Sequence, residues 1–446
     1  MDMRKKKKII ILGLCIGFVA LLAVYLGLFA DRETLPFEIS KVYSLPLGES
    51  EVASVRRVIV SDLTGDGRKE VLMSYDLASY VEQEVEGKIT VMLSFKEARM
   101  LILSSDGVGN FQKSWEYSSG LTRQTAAIGD FDGDGKLDIV VGGFMIENVG
   151  DSPPSFTSRV EVLLQREDGS FDLVFSSGFP QFFGLGLIEA GDFDGDGRTD
   201  FVASGGAAEN ESPYHAWLFH NLGGGNFTMS PIALREGIVV EDMWKADINN
   251  DGSPDLVIHT LDFDDETYSL ISLLNDGRGE FEFRELDVSV VSMVIGNFTG
   301  DGYPDIIYTK TDQLGDKVYF LRNDQGEFAE PSPIDIRGGG GWLDAMIAGD
   351  FNNDGALDLI LLERSAEFRE DLGRFETSLI GHLLLTGEST EGELSFTREC
   401  SQKFLEEKDL SLEHAAVAAD MNDDGWIDLI LVSGEGEVYL TLNKHT

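Results

Sequence analysis

The sequence predicts an all-β fold: a seven-bladed β-propeller of four-stranded antiparallel blades, preceded by one N-terminal transmembrane helix. Three observations carry this reading. An acidic loop joined to an apolar strand, first seen as GDFDGDGKLDIVVGG at residues 129–143, recurs seven times in one register. Its starts, at Asp62, Asp130, Asp192, Asp247, Asn297, Asp350 and Asp420, are spaced by 68, 62, 55, 50, 53 and 70 residues. Between loops, alternating strands meet at glycine turns, which is the short-range signature of β-hairpins. A four-strand unit repeated at that period reads as a propeller blade.

The loop itself is built for a hard cation. Oxygen-bearing side chains fall at positions 1, 3, 5 and 9, and position 6 is always glycine. Calcium takes six to eight oxygen ligands, and a tight turn through glycine aims successive side chains inward. The candidate ligands are Asp62, Thr64, Asp66 and Glu70 in loop one. Loop two offers Asp130, Asp132, Asp134 and Asp138, and loop three Asp192, Asp194, Asp196 and Asp200. Loop four has Asp247, Asn249, Asp251 and Asp255, loop six Asp350, Asn352, Asp354 and Asp358, and loop seven Asp420, Asn422, Asp424 and Asp428. Loop five is the poorest, with Asn297, Asp301 and Asp305. It reads equally as a metal site or as a turn held by side-chain-to-backbone hydrogen bonds. Position 2 is always apolar: Leu63, Phe131, Phe193, Ile248, Phe298, Phe351 and Met421.

The N-terminus reads as a membrane anchor. MDMRKKKK is a basic stub over residues 1–8, and residues 9–30 are uncharged and apolar. About 22 residues at 1.5 Å each give roughly 33 Å, enough to cross a bilayer core. The positive stub holds the N-terminus in the cytoplasm and exports the rest. A signal peptide cut after Ala30 is the alternative, but Leu28 is not the small residue preferred two positions before the cut. Residues 31–36 form a linker and 37–446 the propeller.

Each blade opens with an apolar strand before the loop, such as Arg57–Val60, Ala126–Ile128 or Ala345–Ile347, and continues with one after it, such as Val71–Met73 or Leu359–Leu361. A third strand, a glycine turn and a fourth strand opening on phenylalanine follow, as in VEVLLQREDGSFDLVF (160–175), LISLLNDGRGEFEFRE (270–285) and KVYFLRNDQGEF (317–328). Extra length falls mainly between strands two and three, at 75–87, 144–158, 205–214 and 363–377. Blade seven has strands at 427–432 and 437–442 but lacks a fourth, whereas 37–44 (FEISKVYS) has no unit of its own and opens on phenylalanine. An open third strand would leave unpaired backbone groups. Residues 37–44 are therefore expected to pair antiparallel with 437–442 and close the ring.

On these residues the chain resembles the FG-GAP and VCBS repeat families, the propeller of integrin α-chain heads among them. The resemblance covers Phe37 to Thr446 and rests on DxDxDGxxD followed by an apolar strand. It implies that the loop lies between strands one and two and holds calcium through side chains at positions 1, 3, 5 and 9. It also implies a position-7 carbonyl, here of Lys136, Arg198, Ser253, Ala356 or Trp426. Phe183-Gly184 resembles the FG element, but no regular FG or GAP marks the other units.

The formal net charge of −44 repels nucleic acid and anionic lipid, and even seven divalent cations would leave it strongly negative. Cys15 lies in the apolar run and Cys400 stands alone, so the exported part has no internal disulfide. The six histidines have no metal-ligand spacing, and no catalytic constellation emerges. The chain reads as a non-enzymatic binding, adhesion or assembly-scaffold module for a protein or glycan. The alternative is an extracellular polysaccharide lyase or hydrolase built on the propeller. Ligand-face candidates, opposite the acidic loops, are Phe179, Phe182, Phe183, Tyr214 and Trp342.

Overall fold

The computed structural model describes residues 37–444, apart from connecting stretches at 49–50, 86–87, 107–108, 148–154, 180–186, 205–213, 236, 263–266, 287, 313–314, 335–341, 370–373, 387–393, 408–415 and 434–435. The expected membrane span at 9–30 lies outside the described residues. Among them no helix is long and apolar enough to cross a membrane.

Seven four-stranded antiparallel sheets follow one another along the chain, each with its strands in sequence order, except that the seventh borrows its fourth strand. Blade one comprises Glu51–Ser61, Glu70–Val85, Lys88–Ser105 and Phe111–Tyr117; blade two Thr122–Gly129, Asp138–Glu147, Ser155–Gln165 and Phe171–Phe179. Blade three is built from Leu187–Gly191, Asp200–Ser204, Tyr214–Gly223 and Asn226–Ala233, and blade four from Ile238–Ala246, Asp255–Asp262, Thr267–Asn275 and Phe281–Leu286. Blade five uses Ser292–Gly296, Asp305–Asp312, Gly315–Leu321 and Ser332–Ile334; blade six Trp342–Gly349, Asp358–Arg369, Arg374–Thr386 and Phe396–Glu407. Blade seven takes Ala416–Ala419, Asp428–Val432 and Glu437–Asn443, and is completed by Phe37–Ser44.

That last pairing closes the ring as the sequence predicts. Phe37 lies opposite Asn443 and Ser44 opposite Glu437, with one register shift between Lys41 and Tyr43. The described residues of the expected extra length in blades one, two and six are strand rather than loop. Strands two and three simply run on, as far as the Val85–Lys88 and Arg369–Arg374 pairs in blades one and six. Blade five departs from expectation at its fourth strand. Phe328 belongs to a small separate ladder, Asn323–Asp324 with Glu327–Phe328, and the fourth strand is Ser332–Ile334. Pro331 and Pro333 explain the break, since proline donates no ladder hydrogen bond and is confined to edge strands.

The core lies between blades. Position 2 of every acidic loop is buried, from Phe193 at 0% exposure to Met421 at 5%. Each such residue packs in the same apolar cluster as the phenylalanine following the third strand of the next blade. Phe131 meets Phe227 at 6.0 Å, Phe193 meets Phe281 at 6.1 Å, and Phe351 meets Phe37 at 6.1 Å. Leu63 with Phe171, Ile248 with Phe328, Phe298 with Phe396 and Met421 with Phe111 complete the ring. Two sequence features with no evident link, the apolar position 2 and the strand-opening phenylalanine, are thus the two halves of one inter-blade contact.

Candidate metal loops and central channel

The seven loops share one backbone. Position 6 is left-handed throughout, with φ between 85° and 94°. So is position 4, occupied by Gly65, Gly133, Gly195, Asn250, Gly300, Asn353 and Asp423, at φ from 55° to 82°. Glycine, asparagine and aspartate tolerate that region best. The two reversals wrap the chain around its first side chain. Asp130 accepts from the main-chain N–H of Gly133, Asp134 and Gly135 at 2.7–3.1 Å. The N–H groups of positions 5 and 6 likewise bind Asp62, Asp192, Asp247, Asp350 and Asp420. The position-7 N–H donates to position 5 in every loop, for example Lys136 to Asp134 and Trp426 to Asp424, both at 2.9 Å.

Position 9 is the buried member. Glu70 and Asp138 are 2% and 1% exposed, and Asp200, Asp255, Asp305, Asp358 and Asp428 are fully buried. In six loops one oxygen accepts from the position-2 N–H, as Asp138 Oδ2 does from Phe131 at 2.8 Å, whereas Asp305 Oδ2 of loop five accepts from Thr299. In loops two to five and seven the other accepts from the end of strand three, as Asp138 Oδ1 does from Gln165 N at 2.7 Å. Burial is the main force on these acids, reinforced by neighbouring carboxylates of the loop. It raises Asp138, Asp200, Asp255 and Asp428 from the ordinary 3.8 to about 6, and also lifts Asp305 and Glu70.

The arrangement fits a hard divalent cation. Oxygens of Asp130, Asp132 and Asp138 lie within 4.8 Å of one another, as do those of Asp192, Asp194 and Asp196. In loop five, Asn297 Oδ1 is buried and accepts no hydrogen bond among the described residues. Each Asx-type bond occupies one lone pair of a carboxylate that has several, so turn and ligand roles are compatible. Cationic side chains compete at three loops among the described residues, where Lys136 pairs with Asp134, Arg198 with Asp196 and Arg322 with Asp301. Loop three also gathers a residue outside the motif. His220 Nδ1 lies 2.9 Å from Asp194 Oδ2, and its Nε2 lies 2.9 Å from Ser230 Oγ.

A further set of residues, not evident from the repeat pattern, is the amides at the end of strand three. Gln165, Asn221, Asn275, Asn323 and Asn443 are buried, and each side chain donates to the position-2 carbonyl of the preceding blade's loop. The acceptors are Leu63, Phe131, Phe193, Ile248 and Phe351, at 2.5–2.9 Å. The signal was present as Asn-Leu-Gly, Asn-Asp-Gly and Asn-Asp-Gln-Gly, but a hairpin turn accounts for those strings equally well.

Inside the ring, first strands of blades one, four, five, six and seven line a central cavity of about 1060 Å³. Ala345, Ala348, Ala416 and Ala418 keep it open on one side. Arg57 of blade one reaches Glu189 of blade three at 2.8 Å, and Lys245 of blade four donates to the Ala190 carbonyl. Burial pushes Glu189 upward against the opposing pull of Arg57 and Lys245. His259 and Tyr268 stack at 5.2 Å on the cavity wall, near Lys310. Burial lowers His259 to about 4, and its Nε2 has no hydrogen-bond partner among the described residues.

Strand polarity fixes which end each candidate occupies. Trp342 opens the first strand of blade six, Tyr214 opens the third of blade three, and Phe179 closes the fourth of blade two. All three backbones lie at the end away from the acidic loops, as do Tyr268 and Lys310. Phe182 and Phe183 lie outside the described residues.

Comparison with known proteins agrees with this geometry. The FG-GAP-like repeat family model matches residues 192–258 and 297–361, blades three to six in part, so the chain carries FG-GAP-like repeats. A search of curated proteins gives no match. Among solved structures, the exotype rhamnogalacturonan lyase YesX aligns with TM-score 0.53 at 12% identity, over 92% of this chain and 76% of that one. Rhamnogalacturonan lyase YesW gives 0.50 at 13%, over 91% and 75%, and the Dos1 propeller 0.44 at 11%, over 90% and 95%. At such identities the likeness is one of fold.

Proposed function

We propose that the chain is a membrane-anchored, extracytoplasmic propeller stabilised by calcium, whose face opposite the acidic loops binds a protein or glycan partner. The observation that supports it is the separation of two ends. One carries seven copies of a cation-shaped loop, and the other carries the channel mouth with His259, Tyr268 and Lys310. Calcium would be held by side chains at positions 1, 3, 5 and 9 and would supply the positive charge that lets those acids share a turn. Residues 9–30 would anchor the ring to the membrane. A glycan array probed with the purified ectodomain, with and without calcium, tests the reading. Calcium-dependent retention of a defined glycan or protein class supports it, and absence of any retained ligand counts against it.

A second reading is a polysaccharide lyase or hydrolase. One specific observation favours it: Arg57, His259, Tyr268 and Lys310 line a single cavity, and a cluster of that composition is what chemistry on an acidic polymer would use. Incubation with uronate-containing polysaccharides, followed by detection of unsaturated or reducing ends, separates the two. Product formation abolished by His259→Ala would establish the enzyme.

A further inference from the structure

We propose that calcium occupancy is coupled from loop to loop within two segments of the ring, through a belt of buried side-chain amides that act as positioning residues. This rests on the calcium reading above and adds to it a specific route. Three kinds of hydrogen bond, repeated, make the belt continuous from blade five to blade one. Asp305 Oδ1 accepts from Asn323 N at 2.9 Å, and Asn323 Nδ2 donates to Ile248 O at 2.7 Å. Ile248 N donates to Asp255 Oδ2 at 2.8 Å, and Asp255 Oδ1 accepts from Asn275 N at 2.7 Å. The same steps recur through Phe193, Asp200 and Asn221, then Phe131, Asp138 and Gln165, to Leu63 and Glu70. A separate segment joins Asp428 and Asn443 of blade seven to Phe351 and Asp358 of blade six.

Each amide therefore joins two loops. Its main-chain N–H holds the position-9 carboxylate of its own blade, and its side chain holds the position-2 peptide of the blade before. The N–H of that same position-2 residue in turn holds the preceding position-9 carboxylate. A cation in one loop fixes its position-9 acid and position-2 peptide, which presents a fixed acceptor to the next amide. The neighbouring carboxylate is then already placed when its own cation arrives. Coupling between sites is carried by such contiguous networks when an element in them has two arrangements that both sites bias. The apolar contacts between position 2 and the next blade's phenylalanine move with the same peptide.

Loop seven offers a local readout, because Trp426 lies within it and can sensitise bound terbium. Terbium alone serves as the probe, titrated by Trp426-dependent emission, with Trp426→Phe as the blank. Disabling loop six by Asp350→Ala with Asp354→Ala is expected to weaken terbium binding in loop seven by roughly fivefold or more. Disabling the distant loop three by Asp192→Ala with Asp196→Ala is expected to leave it unchanged, which separates coupling from general loss of stability. Asn443→Leu should impose the weakened affinity by itself and make loop six irrelevant, and Asn443→Gln should restore part of it. If Asn443→Leu does not fold, the loop-six and loop-three comparison still decides. Equal affinity with and without loop six overturns the belt and leaves calcium binding standing. Absence of any Trp426-sensitised, calcium-displaceable terbium emission overturns both.

Discussion

Phe37 and Phe351 meet edge to face, their ring centroids 6.1 Å apart and their planes at 84°. The two residues are 314 positions apart in the chain, yet the contact repeats the one Phe193 makes with Phe281 between successive blades. The N-terminal strand is thus the missing fourth strand of blade seven, in both its ladder and its packing.

Phe37→Ala should therefore act like a core truncation and not like loss of a terminal residue. Phe37 is 5% exposed, and deleting a buried phenylalanine typically costs about 3–5 kcal/mol. Lys41→Ala, which removes the solvent-exposed pair with Glu437, should cost under about 1 kcal/mol. Urea unfolding of the two variants reads the difference, and comparable midpoints would show that the clasp carries little of the ring's stability.

The channel pair makes a prediction about charge. Arg57→Met leaves Glu189 in a partly buried site with Lys245 as its remaining countercharge, and should destabilise the ring by roughly 2–4 kcal/mol. Arg57→Met combined with Glu189→Leu should recover most of that, because no charge is then stranded. A double-mutant cycle in urea measures the coupling, and additive losses would mean that the two side chains do not interact across the channel.

Protonation offers a third check. Asp138, Asp200, Asp255 and Asp428 have folded-state values near 6, against an ordinary 3.8. Between those limits the folded chain binds more protons than the unfolded one, so stability without metal falls as pH rises through that window. Calcium requires the carboxylates to be ionised, so its contribution grows over the same range. In metal-free buffer the melting temperature should be higher at pH 5 than at pH 7.5. Saturating calcium should raise it far more at pH 7.5 than at pH 5. A calcium effect independent of pH would be inconsistent with these acids as ligands.

Loop five supplies a prediction of gain. Asn297 leaves it with two charged ligands, Asp301 and Asp305. Asn297→Asp places a third carboxylate where Asp130 stands in loop two. It should strengthen calcium binding there and raise the calcium-dependent part of the melting temperature. Isothermal titration of the variant against the parent decides it, and an unchanged isotherm would identify loop five as a purely structural turn.

Most of the architecture was legible because the repeat forces local and global signals to agree. Position 2, glycine at position 6 and the strand-opening phenylalanine recur in register, and the unmatched Phe37–Ser44 segment revealed the closure. What was not legible depended on neighbours rather than on the unit itself. The strand-three amides looked like turn residues because their partners, such as the Phe131 carbonyl for Asn221, lie in the previous blade, 90 positions away. His220 beside Asp194 was hidden for a similar reason, since the two are 26 positions apart and fall together only when strand three folds back on the loop. In blade five, Phe328 followed the pattern while Pro331 and Pro333 displaced the strand it was expected to open.

The central claim is that a ring of acidic loops depends on calcium for its stability, and differential scanning calorimetry of the metal-free propeller at pH 7.5, titrated with calcium, tests it most directly. Ligand binding to the folded state alone raises stability by about 2.7 kcal/mol per site at a hundredfold excess over Kd. The melting temperature should therefore climb steadily through the millimolar range typical of extracellular modules. Asp134→Ala should lower both the rise and the number of ions bound. A melting temperature that stays the same from metal-free buffer to 10 mM calcium would contradict the account.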